Sequence, residues 1–239
     1  MSVSVPFSQS ESAVISAGIV SANLLNLEAD LATLEKSKVA AIHFDVMDGC
    51  FTPAMTVGLP LVKAVKTPLL KDVHLMIVDP LEKVVDYVDA GADMITIHFE
   101  SCSDVKPTLE RLGELKNKND PTRGLVRGVA INPKTPVEAV YPLLDHLEMV
   151  MILAVDPTAK LGGSTEIALA AEKVETLRRK LESLNTKKLI CVDGGVKHAN
   201  IGEFADMNVD LVVSGSALFK SGDIQDSVAA MSRGLSGAE

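Results

Sequence analysis

The sequence predicts an α/β chain folded as a single (β/α)8 barrel, the TIM-barrel architecture, on three observations. Short apolar runs alternate with helical periodicity eight times, and strict alternation points to a parallel sheet. A length of 239 residues suits eight such units closed on themselves. The composition is 47% hydrophobic with 3% aromatics and no Trp, so the core must be built from Val, Ile, Leu, Ala and Met, as suits a covered parallel sheet. An open doubly wound sheet would need fewer units or a reversal of strand order. It also usually carries a glycine fingerprint after its first strand, where this chain has Ser21-Ala22-Asn23.

Residues 1–12 are Ser-rich and polar and read as a flexible arm, leaving one catalytic domain over 13–239. Ala13 to Ser21 is the first strand. Leu24 to about Lys36 has helical spacing at Leu27, Leu31 and Leu34, with Asn26 as cap. Ala41–Asp45 is the second strand and Leu59 to about Thr67 a short helix. Asp72–Ile77 is the third strand, and Pro80 opens a helix that runs to Asp89 and is closed by Gly91. Met94–Phe99 is the fourth strand; a helix over Asp104 to about Asn117 and a polar turn to Arg123 follow. Gly128–Ile131, a helix from Pro136 to about His146, and Met149–Val155 make the next units. The longest helix spans Glu166 to about Leu184. Lys188–Val192, a helix over Ala199 to about Met207, Leu211–Ser214 and a closing helix over Ile224–Arg233 complete the pattern.

The net charge of −9 and the lack of a basic cluster argue against nucleic acid as a partner. An anionic substrate therefore needs a local site. The three scattered cysteines suggest neither a disulfide framework nor a zinc ribbon and fit a reducing cytoplasm. No signal peptide and no apolar run of membrane-spanning length is apparent, so no membrane partner is expected.

In such a barrel the active site lies at the C-terminal ends of the strands. Strand 2 ends with His43 and Asp45, strand 3 with His74, strand 4 with His98 and Glu100. Strand 7 ends with Asp193 before Gly194-Gly195, and strand 8 runs into Gly215-Ser216. Strand alternation puts His43, Asp45 and Met47 on one face. Singly, each histidine reads more readily as a satisfied core group than as a metal ligand, and Asp45 reads as a ligand or a base. Together, two histidines and two aspartates at one rim are hard to explain by stability, because unpaired buried carboxylates are costly. One divalent ion per subunit offsets that cost, and mixed N/O ligation suits zinc, iron, manganese or cobalt.

His98 and Glu100 share a face and read as spare ligands, as partners orienting a ligand imidazole, or as a hydrogen-bonded core pair, the last being preferred. Cys191 shares parity with Asp193 and reads as a small hydrophobe; His146 and His198 read as surface residues. Met47 and Met76 point to the same mouth, where thioethers would give a water-poor cover. The glycine turns at Gly194-Gly195 and Gly215-Ser216 sit where these barrels hold a phosphate on backbone N–H groups.

These segments resemble a known family. Ile42-His43-Phe44-Asp45-Val46-Met47-Asp48-Gly49, Asp72-Val73-His74-Leu75-Met76, Asn132-Pro133-Lys134-Thr135-Pro136, Val192-Asp193-Gly194-Gly195-Val196 and Gly215-Ser216-Ala217 are similar, in order and spacing, to the signatures of ribulose-phosphate 3-epimerases. The resemblance runs from about Ala13 to about Arg233. It implies a metal-dependent epimerase of a phosphorylated ketose, with His43, Asp45, His74 and Asp193 as ligands and Asp45 and Asp193 as the acid/base pair. It also implies a homo-oligomer, a dimer or hexamer.

The chain departs from the family pattern at three places. The first strand has Gly18 where the family has a serine thought to touch substrate. Cys50 and Ala54 stand for a usual His and Asn. The loop after strand 6, which covers the phosphate in the family, reads Asp156-Pro157-Thr158-Ala159-Lys160-Leu161-Gly162-Gly163-Ser164 and is about two residues longer, with Leu153 in place of a methionine before it. Gly162 and Gly163 are the expected phosphate-side residues of that loop. The acid/base set is intact while the substrate-gripping set is altered. This leaves ribulose 5-phosphate as the first substrate, a ketohexose 6-phosphate such as allulose 6-phosphate as the second, and a non-catalytic sugar-phosphate-binding barrel as a third reading.

Overall fold

The computed structural model of the protein describes residues 7, 12–158, 165–220 and 222–237. Within them, eight strands pair in parallel in sequence order: β1 (Val14–Gly18), β2 (Val39–Met47), β3 (Leu70–Met76), β4 (Met94–His98), β5 (Val126–Ile131), β6 (Met149–Leu153), β7 (Leu189–Asp193) and β8 (Leu211–Ser214). β8 pairs back onto β1 and closes the barrel. The helices are α1 (Leu27–Leu34), α2 (Leu59–Ala64), α3 (Val84–Asp89), α4 (Lys106–Glu114), α5 (Ile167–Ser183), α6 (Ile201–Asp206), α7 (Ser216–Phe219) and α8 (Ile224–Ser236). No helix among the described residues is long and apolar enough to cross a membrane.

Period-2 alternation builds two cores. Along β2, Ile42, Phe44 and Val46 point outward and pack with helix residues such as Val62 and Leu34. Ala41 and Met47 point inward, into a cluster with Met76, Met94, Met149, Met151 and Leu211. His43 and Asp45 share that inward parity. The same alternation brings Asp72 and His74 of β3, His98 of β4 and Asp193 of β7 inside, and in-register pairing sets His43 beside Asp72 and Asp45 beside His74.

Several boundaries differ from the sequence reading. β1 ends at Gly18 rather than Ser21, because Ala22 N–H bonds the Ile19 carbonyl at 3.0 Å and closes a 3₁₀ turn over Ile19–Ser21. The segment Val137–His146 is 3₁₀ rather than α, with Pro142 inside it; a proline there removes an N–H and its ring crowds the carbonyl four residues back. α3 begins at Val84, directly after the turn that Pro80 opens and the Lys83 N–H closes on the Pro80 carbonyl at 2.9 Å. The four-residue α7 after Gly215 was not anticipated. Most of the arm read over 1–12 lies outside the described residues; Phe7 is buried and packs in the barrel-interior cluster.

At the N-terminal end of the barrel, the turn Asn117–Arg123 closes on Asp93, at the start of β4. Asp93 accepts from Lys71 N–H at 2.9 Å, Asn117 Nδ2 at 3.1 Å, Asn119 Nδ2 at 3.1 Å and the Arg123 guanidinium. Lys71 Nζ, also buried, donates to the carbonyls of Val62 and Ala90 at 2.8 and 3.2 Å.

Candidate active site and metal centre

At the opposite end, four expected residues converge. One donor atom from each of His43, Asp45, His74 and Asp193 lies within 4.8 Å of the others. His43 Nε2 is 3.3 Å from Asp45 Oδ1 and 4.0 Å from Asp193 Oδ2. His74 Nδ1 is 3.5 Å from Asp45 Oδ1 and 3.4 Å from Asp193 Oδ2. Both histidines are fully buried while the two aspartates are partly open to solvent, so the group forms the floor of a depression rather than a sealed core.

The fit to a cation rests on two orphaned atoms. His43 Nε2 and His74 Nδ1 are buried without a hydrogen-bond partner, and both face the carboxylates. Buried polar groups are nearly always paired, so two orphans aimed at one point mark a place where a ligand is expected. Two imidazole nitrogens and two carboxylates suit a first-row divalent ion.

The electrostatics agree. Burial alone would push His43 down, but the carboxylates of Asp72 and Asp45 more than reverse this and hold it well above a free imidazole. Burial likewise opposes the charged form of His74, and Asp193 and Asp45 together raise it. For Asp45 burial works upward, yet His43 and His74 hold its carboxyl far below the usual carboxylate range. The site is thus built for positive charge facing two carboxylates.

Sequence reasoning missed what stands behind His43. Asp72 Oδ2 lies 2.7 Å from His43 Nδ1 and accepts from Ser16 Oγ at 2.9 Å. That bond places the proton on Nδ1 and leaves Nε2 free toward the site. The available signal was parity: Asp72 is two residues before His74 on the same strand face. His98 and Glu100 form the hydrogen-bonded pair of the plainer reading, with Nδ1 3.3 Å from Glu100 Oε2, and the pair also reaches the site, with His98 Nε2 2.9 Å from His74 Nε2. Burial pushes His98 down to about 4 despite the Glu100 bond.

Cys191 is buried in the apolar interior, and burial drives its thiol up. His146 lies 3.9 Å from Glu110, and His198 bonds the Ala217 carbonyl at 3.1 Å; neither belongs to the His/Asp cluster.

Beside the ligands is a cavity of about 180 Å³ lined by Asp45, Asp193, Gly194, Gly195, Gly215 and Ser216, with Gly18, Ser21, Val196 and Val213 completing the wall. Gly194 and Gly195 have φ of +105° and +70°, which disfavour a side chain, and a Cβ on Gly195 would collide with the Thr165 side chain. Met47 and Met76 are register neighbours at the barrel mouth and pack in the interior cluster. Gly162 and Gly163 lie outside the described residues.

Solved structures with this fold include KGPDC from Streptococcus mutans (TM-score 0.66, 12% identity, covering 95% of this chain and 99% of that one). Another is 3-hexulose-6-phosphate synthase from Salmonella typhimurium (TM-score 0.61, 18% identity, 95% of this chain and 100% of that one). At such identities the likeness is one of fold. Sequence relatives are closer. The chloroplastic ribulose-5-phosphate-3-epimerase of Arabidopsis thaliana is 35% identical over 225 residues, 93% of this chain and 76% of that protein. Ribulose-phosphate 3-epimerases of Bacillus subtilis (strain 168) and Escherichia coli (strain K12) are 32% and 33% identical, over 87% and 88% of this chain and 93% and 90% of theirs. The profile described as the Ribulose-phosphate 3 epimerase family matches residues 14–219. With that match across the barrel and a His/Asp cluster able to hold a metal at its C-terminal end, the chain belongs to the ribulose-phosphate 3-epimerase family, whose named members are isomerases.

Proposed function

We propose that the chain interconverts D-ribulose 5-phosphate and D-xylulose 5-phosphate with one divalent ion bound by His43, Asp45, His74 and Asp193. The observation that carries this reading is the placement of Asp45 and Asp193: both edge one cavity, and both lie within 3.5 Å of the same His74 nitrogen. Pure metal storage needs no such pair of partly open carboxylates lining a small-molecule cavity.

Inversion at a carbon next to a carbonyl needs one group to remove a proton and another to return one from the opposite face. Asp45, held as a carboxylate by its histidines, is the base in one direction, and Asp193 the acid that delivers a proton; the roles exchange in reverse. When bound, the ion supplies Lewis-acid stabilisation of the charge that develops on the substrate oxygens. Met47 and Met76 exclude water over the reacting carbons. Backbone N–H groups at Gly194-Gly195 and Gly215-Ser216 hold the phosphate, and their glycines permit the close approach.

A second substrate, a ketohexose 6-phosphate such as allulose 6-phosphate, is favoured by one observation: Gly18 lines the cavity where the family has a serine, so that wall carries no side chain. The test is turnover by purified protein reloaded with Mn²⁺, Fe²⁺, Co²⁺ or Zn²⁺ in turn, on both sugars. Pentose turnover supports the first reading, and hexose turnover alone replaces it with the second. Neither, with metal at one per chain, points to another sugar phosphate or to a binding barrel. Light scattering of the same preparation checks the expected dimer or hexamer.

A further inference from the structure

Resting on that metal-site reading, we infer that Glu100 and His98 are positioning residues that set the tautomer of His74 and so present its Nδ1 lone pair to the ion. To donate Nδ1 to a cation, neutral His74 must carry its proton on Nε2. That N–H is fully buried and needs an acceptor. The atom facing it, at 2.9 Å, is Nε2 of His98. His98 can accept there only if its own proton is on Nδ1, and Nδ1 faces Glu100 Oε2 at 3.3 Å, a carboxylate that accepts and does not donate. The direction of the chain is therefore fixed from Glu100 inward. The rings of His74 and His98 lie within 13° of parallel with centroids 4.9 Å apart, so with nitrogens 2.9 Å apart they meet edge to edge, as an N–H···N bond requires. Phe51 packs against His98, with ring centroids 4.5 Å apart and the rings tilted by 48°.

Glu100 is held in turn. Its Oε1 accepts from Asn132 N–H at 2.8 Å and from Thr135 Oγ1. Lys173 of α5, itself buried, donates to the carbonyls of Asn132, Pro133 and Thr135 at 2.9, 2.6 and 2.6 Å. The Asn132–Thr135 loop is thus a bracket for the carboxylate that orients the site.

The test is cobalt binding by the full-length wild-type chain, His98→Leu, His98→Gln and Glu100→Gln. It follows Co²⁺ affinity and the visible ligand-field bands, with the zinc-loaded His74 imidazole N–H read by NMR. Removing partners of this kind typically weakens metal binding by about tenfold to a hundredfold. His98→Leu should lose that much affinity, alter the cobalt bands and abolish the hydrogen-bonded His74 Nε2–H signal. His98→Gln, which offers an amide oxygen to the same N–H, should regain most of it; packing alone would not rank Gln above Leu. Glu100→Gln can accept on one side only and should fall between. A folded His98→Leu that binds Co²⁺ like wild type, with unchanged bands, overturns the inference while leaving the metal site standing. Failure of wild type to bind Co²⁺ overturns both. If His98→Leu does not fold, wild-type affinity in Glu100→Gln overturns the inference, and weakened affinity supports it.

Discussion

The two ends of this barrel bury carboxylates in opposite ways. At the N-terminal end, Asp93 is surrounded by donors: a backbone N–H, two amide nitrogens and a guanidinium. Its neighbour Lys71 is equally well met by two carbonyls. At the C-terminal end, Asp45 and Asp193 face two imidazoles that leave His43 Nε2 and His74 Nδ1 with no partner. The residue types overlap, so acidity and burial do not separate structure from function here. What separates them is whether the chain supplies every partner. A satisfied carboxylate stabilises the fold, and an incomplete polar cluster keeps a place for something else.

The sharpest way to break this contrast is at Asp193. Asp193→Asn should lower epimerase turnover by about 10²–10⁴-fold, the usual contribution of a positioned proton-transfer group, while the circular dichroism spectrum stays that of the folded wild type. Turnover within a fewfold of wild type would remove the two-carboxylate assignment. His74→Ala takes away a ligand and should drop metal content, measured by elemental analysis, well below one ion per chain. A chelator should lower the wild-type melting temperature, because an ion that binds only the folded state stabilises it, and should leave His74→Ala nearly unmoved. An equal shift in both would exclude this site as the source.

The opposite end should respond in the opposite sense. Asp93→Ala leaves the half-buried Arg123 guanidinium and the Lys71 N–H without their carboxylate and takes one acceptor each from buried Asn117 and exposed Asn119, at a cost of about 3 kcal/mol. Urea unfolding should show a lower midpoint, with metal stoichiometry and kcat per folded molecule unchanged. Loss of metal from this variant would mean that the two ends are coupled and that the contrast is false.

Much of this arrangement is readable from local sequence, because period-2 alternation fixes which side chains enter a closed barrel. His43, Asp45, His74 and Asp193 needed only strand ends and parity. Asp72 was missed because its importance comes from register: it lies beside His43 only once β2 and β3 pair, 29 residues apart in sequence. The link from His98 to His74 is hidden for the same reason, since it joins neighbouring strands whose register sets His74 beside Thr96, two residues before His98. Val137–His146 has helical spacing of apolar residues, and Pro142 decides against the α form. The glycines expected in the loop after β6 lie outside the described residues, so the altered loop keeps its reading from sequence alone.

Gly18 offers the smallest and most discriminating change, because it touches the substrate wall without touching the ion. A Cβ at this position would sit 3.3 Å from Gly215 Cα and 3.6 Å from the Ser214 carbonyl oxygen, so a serine fits only if β8 yields by a few tenths of an ångström. The melting temperature of Gly18→Ser should therefore fall slightly. Its hydroxyl would enter a cavity already edged by Asp45 and Ser21. One added hydrogen bond is worth about 0.5–1.5 kcal/mol, so KM for ribulose 5-phosphate should drop by roughly two- to tenfold with kcat and metal content unchanged. If the chain instead prefers a ketohexose phosphate, the same serine fills space the longer sugar needs, and KM for allulose 6-phosphate should rise. The sign of the KM change on each sugar thus says which substrate the bare wall at Gly18 serves. No change on either would mean that the wall is too far from the bound sugar to matter.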